Sequence, residues 1–443
     1  MTTYTSLKSI PKNQTFKKGD LFILFGELFG RGYANGLVKM AQNQGMKIIG
    51  ATVGRREKGI LRPLNQEEIE QAESLLGGKL INIPLEAGFD LEALQDQTGK
   101  ETSVVDWLAD VKIDDWPSCK IDFDLVKQAK EKGKMRFEKG VTSFLEQVQK
   151  EWQPGQNIFF AHIMAGGIPR AKIMLVIANR VFKGRGERYI HSGNFWNSDL
   201  GKLTSESFDA VTADTFQILL EKAQPLLKKT SASGDQVVFT GYGYHGTEIL
   251  VDGKYQWQTY TPYQQGHAKK RLENYARKAR QNGIQATIYN CPEIRTNSSD
   301  IFLGVELSLF PLLYAFQKEG KGAWVQEILQ TCQKKLTQGG ILDDLLKELN
   351  SYFLSPFMKN FIQFQDWPKE NTAELAELMV GTSERVAALH FDRKDLITDY
   401  LSSIVIANTG QLIFHSIGDC KEPVIWLGHE WIAKQMEQNR GVY

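Results

Sequence analysis

The chain has little that would mark a specialised class. Only 4 of its 443 residues are cysteine, and Cys119, Cys291, Cys332 and Cys420 lie far apart, with no CxxC pair and no metal-ligand spacing. That excludes a disulfide-stapled scaffold and fits thiols in a reducing cytoplasm. Neither sign of charge dominates: 53 basic residues stand against 52 acidic ones, net +1. No electrostatic case exists for nucleic acid or an anionic membrane as partner. Apolar runs long enough to span a bilayer are missing, so no membrane span is expected. The polar first twenty residues lack the apolar centre of a signal peptide, and a cytoplasmic protein is the expectation. HExxH, Gly-x-Ser-x-Gly and the Walker loop Gly-x-x-x-x-Gly-Lys-Ser/Thr are all absent. Metal-dependent hydrolysis, Ser-His-Asp chemistry and Walker-type nucleotide hydrolysis therefore have no support, and no metal is expected.

What is present begins at residues 21–25, an apolar run of strand length. The turn Gly26-Glu27-Leu28-Phe29-Gly30-Arg31-Gly32 follows, then helical spacing over 33–41 and a second strand over 46–53. Strand, glycine turn, helix and strand within about thirty residues make a βαβ unit and favour a parallel sheet. Gly26, Gly30 and Gly32 are the candidate diphosphate cradle: glycines admit close backbone approach, and the helix N-terminus presents amides and a positive dipole. Glu27 is the misfit, a carboxylate in a loop meant for phosphates. At the end of the second strand stand Gly54, Arg55 and Arg56 where an acid would suit ribose hydroxyls. Arg55 and Arg56 as phosphate clamps favour NADPH over NADH.

Further strands are expected at 79–83, 157–162, 236–240 and 283–289, with one long or two shorter helices over 121–152 and helix over 205–229. Alternation of strands and helices predicts an α/β fold, a doubly wound parallel sheet of Rossmann type with a helical insertion at about 57–152. The pattern divides into residues 1–340, nucleotide-binding and catalytic, and 341–443, a mostly helical extension packed on them. Helices are predicted over 341–364, 371–388 and 393–402, followed by a hairpin from 403–407 to 411–414 turning at Asn408-Thr409-Gly410.

The densest chemistry lies in residues 260–296. Tyr260 precedes Lys269 by nine positions, ahead of a helical segment, an apolar strand and Pro292-Glu293-Ile294-Arg295-Thr296. A phenol and an ammonium on one face suit a carbonyl-polarising reductase: the lysine holds a ribose and lowers the phenol pKa, and the phenol stabilises an oxyanion. Tyr263, six residues before Lys269, is the rival phenol. Ile294 and Thr296 are candidate contacts for a nicotinamide carboxamide, and residues 164–169 are the expected loop beneath the cofactor. Phe195 and Trp196, among amides, are candidates to line a substrate pocket.

These pieces resemble a short-chain dehydrogenase/reductase. The Tyr-x8-Lys separation is similar to the single-chain (V-class) bacterial trans-2-enoyl-CoA/enoyl-ACP reductases, and it selects Tyr260 over Tyr263. Tyr244-His245-Gly246-Thr247-Glu248 and Gly266-His267-Ala268-Lys269-Lys270-Arg271-Leu272-Glu273 also resemble segments of that family. The likeness covers residues 20–56 and 235–335. It departs at Gly54-Arg55, where the family has an acid, and at 251–254, where turn residues are added. The resemblance implies hydride transfer to the β-carbon of an α,β-unsaturated acyl thioester carried on CoA or acyl-carrier protein. Tyr260 would stabilise the enolate, with Lys269 on the ribose and Tyr244 as a second contact. A ketone or aldehyde (3-oxoacyl) reductase and a non-catalytic dinucleotide-binding sensor are the competing expectations.

Overall fold

The computed structural model describes the 443 residues except 1–4, 13–14, 58, 96–98, 245, 259–263, 297–298, 300–302, 363–369 and 441–443. Seven strands form its central sheet: β1 (Leu21–Phe25), β2 (Lys47–Thr52), β3 (Lys79–Pro84), β4 (Ile158–His162), β5 (Val237–Tyr242), β6 (Gln285–Asn290) and β7 (Val424–Trp426). Their spatial order is β7-β6-β5-β4-β1-β2-β3, and every pairing is parallel. The order reverses between β1 and β4, so the sheet is doubly wound.

The central strands read as unbroken apolar runs because helices cover both faces. Along β1, Phe22 and Leu24 face one core, whereas Leu21, Ile23 and Phe25 face the other. The first core is covered by α1 (Ala34–Gln44) and the C-terminal helices; the second by α2 (Phe123–Glu151) and α3 (Gln264–Gln281). The single long helix α2 is therefore the crossover that returns the chain from β3 to β4. Arg136 on α2 grips Glu92 (2.9 Å) and the carbonyl of Gly88 (2.8 Å), fixing the loop that follows β3.

Residues 403–414 form no hairpin. They lie inside α4, a helix over Ile397–Ser416 that is apolar nearly all round and buried. A short apolar run reads equally as strand or buried helix, and packing chose helix. Asn408 and Thr409 donate back to the carbonyls of Ile404 (2.8 Å) and Val405 (2.7 Å), which satisfies them within the helix. Gly410 is a contact residue: α4 crosses α1 so closely that a Cβ on Gly36 would stand 2.0 Å from the Ile406 carbonyl oxygen. The added turn at 251–254 closes a two-stranded hairpin, Thr247–Val251 with Lys254–Gln258, through Asp252 (φ 48°) and Gly253 (φ 72°). Among the described residues, no helix is long and apolar enough to cross a membrane, and no cluster of His, Cys, Asp or Glu could hold a metal.

Candidate active site

A cavity of about 460 Å³ opens at the carboxyl ends of β1, β4, β5 and β6. This is the switch point of the sheet, where diverging crossovers leave a crevice. One wall is the β1–α1 turn, from Glu27 through Gly32 to Asn35. Gly30 and Gly32 have open space where a Cβ would project, whereas Gly26 (φ 125°) has Ile163 2.7 Å from that position. The first glycine thus makes the tight turn, and the other two leave room for a ligand's backbone approach. Ala34 and Asn35, at the start of α1, line the same space, and a helix N-terminus there favours a diphosphate. These residues fit a dinucleotide.

The floor comes from residues 163–168, after β4. Thr212 donates to the Gly166 carbonyl (2.9 Å) and accepts from its N–H (3.2 Å), while a Cβ on Gly167 would stand 2.5 Å from the Phe208 backbone. Thr212 belongs to a π-turn at Asp209–Ala213, so the irregular helix and the glycines form one fitted contact.

Lys269, on α3, is 7% exposed and lines the far wall. It makes no hydrogen bond or ion pair among the described residues, and burial pulls its pKa down to about 8. Lys270 lies outside the lining and Arg271 turns away to Asp209 and Asp214. The helix is held one turn further on, where Asn290 donates to the fully buried Glu273 (2.9 Å). Tyr244 also lines the cavity, and its hydroxyl donates to Glu293 at 2.6 Å. Glu293, 7% exposed, has its pKa raised to about 8, chiefly by burial and against the Tyr244 hydrogen bond. Tyr242 stacks on Tyr33 with ring centroids 5.2 Å apart and also borders the space. Thr296 lines it too, while Ile294 is enclosed in the core.

Other candidates lie elsewhere. Phe195 is 1% exposed and packs edge-on to Trp116, in a separate apolar cluster. Trp196 stands edge-on to His267 on α3, beside the cavity wall but not in its lining. Buried His162 bonds Thr215 (2.9 Å) and stacks on Phe25, and desolvation holds it neutral. Tyr260 and its rival Tyr263 fall outside the described residues. Sequence reasoning passed over Tyr242 and Glu293. A charged residue three positions past the end of a buried strand, as Glu293 is, was the available signal.

Arg55 and Arg56 do not form a phosphate clamp. Arg55 presents its fork to Glu27, with Nη2 2.8 Å from Oε1 and Nη1 3.0 Å from Oε2. Arg56 is 14% exposed and pairs with Glu86 and Glu92, both nearly buried. Charges so engaged are not available to a ribose phosphate unless these pairs, the Arg56 ones nearly buried, are broken.

A dinucleotide crosses such a sheet at its switch point, so fold and cavity define a dinucleotide-binding α/β protein with a buried amine at its site. Comparison with known proteins makes the class specific. The chain matches the enoyl-acyl carrier protein reductase FabMG family over residues 3–436, and it belongs to that family. A solved apo structure of FabMG is 50% identical over 100% of this chain and 99% of its own, with a TM-score of 0.95. A FabMG structure with NADH bound is 44% identical over 99% of this chain and 100% of its own, with a TM-score of 0.78. No curated protein matches. The NADH in that relative overturns the expectation of NADPH, and the engaged arginines give the physical reason. The chain is an NAD(P)H-dependent oxidoreductase of the enoyl reductase type.

Proposed function

We propose that the enzyme uses NADH to saturate the α,β double bond of an acyl chain held as a thioester on acyl-carrier protein, with Tyr260 and Lys269 as its catalytic pair. The observation that carries this reading is Lys269, a buried amine without a charge partner among the described residues, facing a cavity that opens beside the α1 N-terminus. When bound, the cofactor supplies a hydride to the β-carbon. The π electrons of the conjugated system then shift onto the thioester oxygen as an enolate, and a proton from solvent at the α-carbon completes the saturation. Tyr260, nine residues before Lys269, hydrogen-bonds that oxygen as its charge grows. Lys269 holds a ribose hydroxyl and, from a site of low dielectric, favours negative charge on the phenol and enolate. Tyr244, ordered by Glu293, is the second polar contact at the substrate end.

Four free thiols and a near-neutral surface support a cytoplasmic enzyme. Residues 1–340 are taken as the catalytic unit and 341–443 as an extension packed on it, which also lends the sheet its edge strand β7; the Gly36–Gly410 crossing supports the packing. The test is NADH oxidation by the purified protein against crotonyl and longer enoyl thioesters on acyl-carrier protein and on CoA, with β-ketoacyl thioesters as the contrast. Enoyl turnover falling about 100-fold or more in Tyr260→Phe but not in Tyr263→Phe is the expected result. Turnover of β-ketoacyl substrates alone, or activity that survives Tyr260→Phe, overturns it.

A further inference from the structure

Glu27 is a carboxylate inside the turn that should cradle phosphate, and its surroundings explain why it is tolerated there. Its side chain is 9% exposed and borders the cavity. It does not point along its own loop. Oε2 accepts from Thr52 Oγ1 (2.8 Å), the Val53 N–H (3.2 Å) and Arg55 Nη1 (3.0 Å). The carboxylate is therefore moored to the carboxyl end of β2. In a doubly wound sheet that position is where an acid reads the adenosine ribose, and β2 here carries none of its own, running Thr52-Val53-Gly54-Arg55.

We infer that Glu27 is the cofactor-selecting residue, an acid delivered to the end of β2 from the glycine turn, which accepts the adenosine ribose hydroxyls and excludes a ribose phosphate. This rests on the reading of the cavity as a nicotinamide dinucleotide site. The acceptor arithmetic permits it: a carboxylate offers about four lone-pair sites. Among the described residues, Oε2 takes three donors, whereas Oε1 takes only Arg55 Nη2 (2.8 Å). Arg55 is the positioning partner. Nη1 is shared between Glu27 and the Gly54 carbonyl (2.9 Å), and Nε points to Glu68 at 3.6 Å, so the guanidinium is spent on orienting the acid. A ribose phosphate would meet the Glu27 charge and find the nearest arginine already taken.

The experiment is equilibrium binding of NADH and of NADPH to the full chain by calorimetry, for the native protein, Glu27→Gln and Glu27→Ala, with unliganded melting temperatures recorded alongside. A native preference for NADH is expected. In Glu27→Ala the NADH affinity should fall about tenfold, and the NADPH/NADH affinity ratio should rise by about tenfold or more as Arg55 is released. Glu27→Gln keeps the shape and an acceptor but not the charge, so it should gain NADPH affinity with a smaller loss for NADH; it carries the test if the alanine variant does not fold. A ratio within about twofold of native in the folded variants overturns the inference while leaving the reductase reading intact. Native protein that binds neither cofactor removes the reading beneath it, and the inference with it.

Discussion

Replacing Lys269 with methionine keeps the length and apolar body of the side chain and removes only the ammonium. The ordinary lysine pKa of 10.5 is drawn down to about 8 here, with burial as the cause. At about 1.4 kcal/mol per pH unit, holding the charged amine in this wall costs the folded state roughly 3 kcal/mol. The sign follows from linkage. Between about 8 and 10.5 the unfolded chain binds the proton and the folded one does not, so the stability of the native enzyme rises with pH across that window. Below about 8 both states are charged and the full cost is present. Lys269→Met should therefore be more stable than the native protein at neutral pH by up to roughly 3 kcal/mol, and the advantage should shrink as pH rises toward 10.5. The same variant should bind NADH more weakly and lose most turnover, a stability gain at the expense of function. Denaturant unfolding of both proteins at neutral pH and near the upper end of the window, with NADH titrations, measures each part. A Lys269→Met protein less stable than native at neutral pH would refute the reasoning, since it would mean that the amine has a stabilising partner.

The Glu293 carboxyl titrates the opposite way. Raised from 4.5 to about 8, its neutral form gives stability that is fully present below 4.5 and is lost as pH rises through about 8. Glu293→Gln should thus gain on the native protein with rising pH, by up to roughly 5 kcal/mol across that range, as read by denaturant melts at several pH values. Gly30→Ala, which enters open space, should leave the melting temperature near native but weaken NADH binding about tenfold or more. Gly36→Ala drives a Cβ to 2.0 Å from the Ile406 oxygen and should cost at least about 2 kcal/mol, seen as a lowered melting temperature of the unliganded protein. Arg56→Met removes one partner from Glu86 and Glu92, which keep Arg136 and Arg170, and should destabilise the fold by about 1–2 kcal/mol, with the NADPH/NADH affinity ratio unchanged in binding titrations.

Local order was legible because it is written in local periodicity. β1, the glycine turn, α1 and β2 follow from apolar spacing and three glycines, and six of the seven sheet strands from short apolar runs between turns. Lys269 was legible as chemistry because it lies in a helical segment nine residues after a tyrosine. The same patterns misled where one residue type serves two ends. Residues 403–414 have the composition of a strand and are a helix, since close packing of Gly410 on Gly36 rewards a thin buried helix there. β7 is three residues long and sits at the sheet edge, too short to show any period.

The sequence by itself determined the class of fold, the glycine turn that walls the cavity and the amine that lines it, because each rests on residues close together in the chain. Tertiary structure alone decided how the charges are spent. Arg55 and Arg56 read as phosphate ligands while they are counted along the chain, but Glu27, twenty-eight residues before Arg55, and Glu86, thirty residues beyond Arg56, claim them in space. An ion pair is a matter of distance and burial, and neither is encoded in spacing; so the reading of Arg55 and Arg56 turned on which acid the fold carried to which arginine.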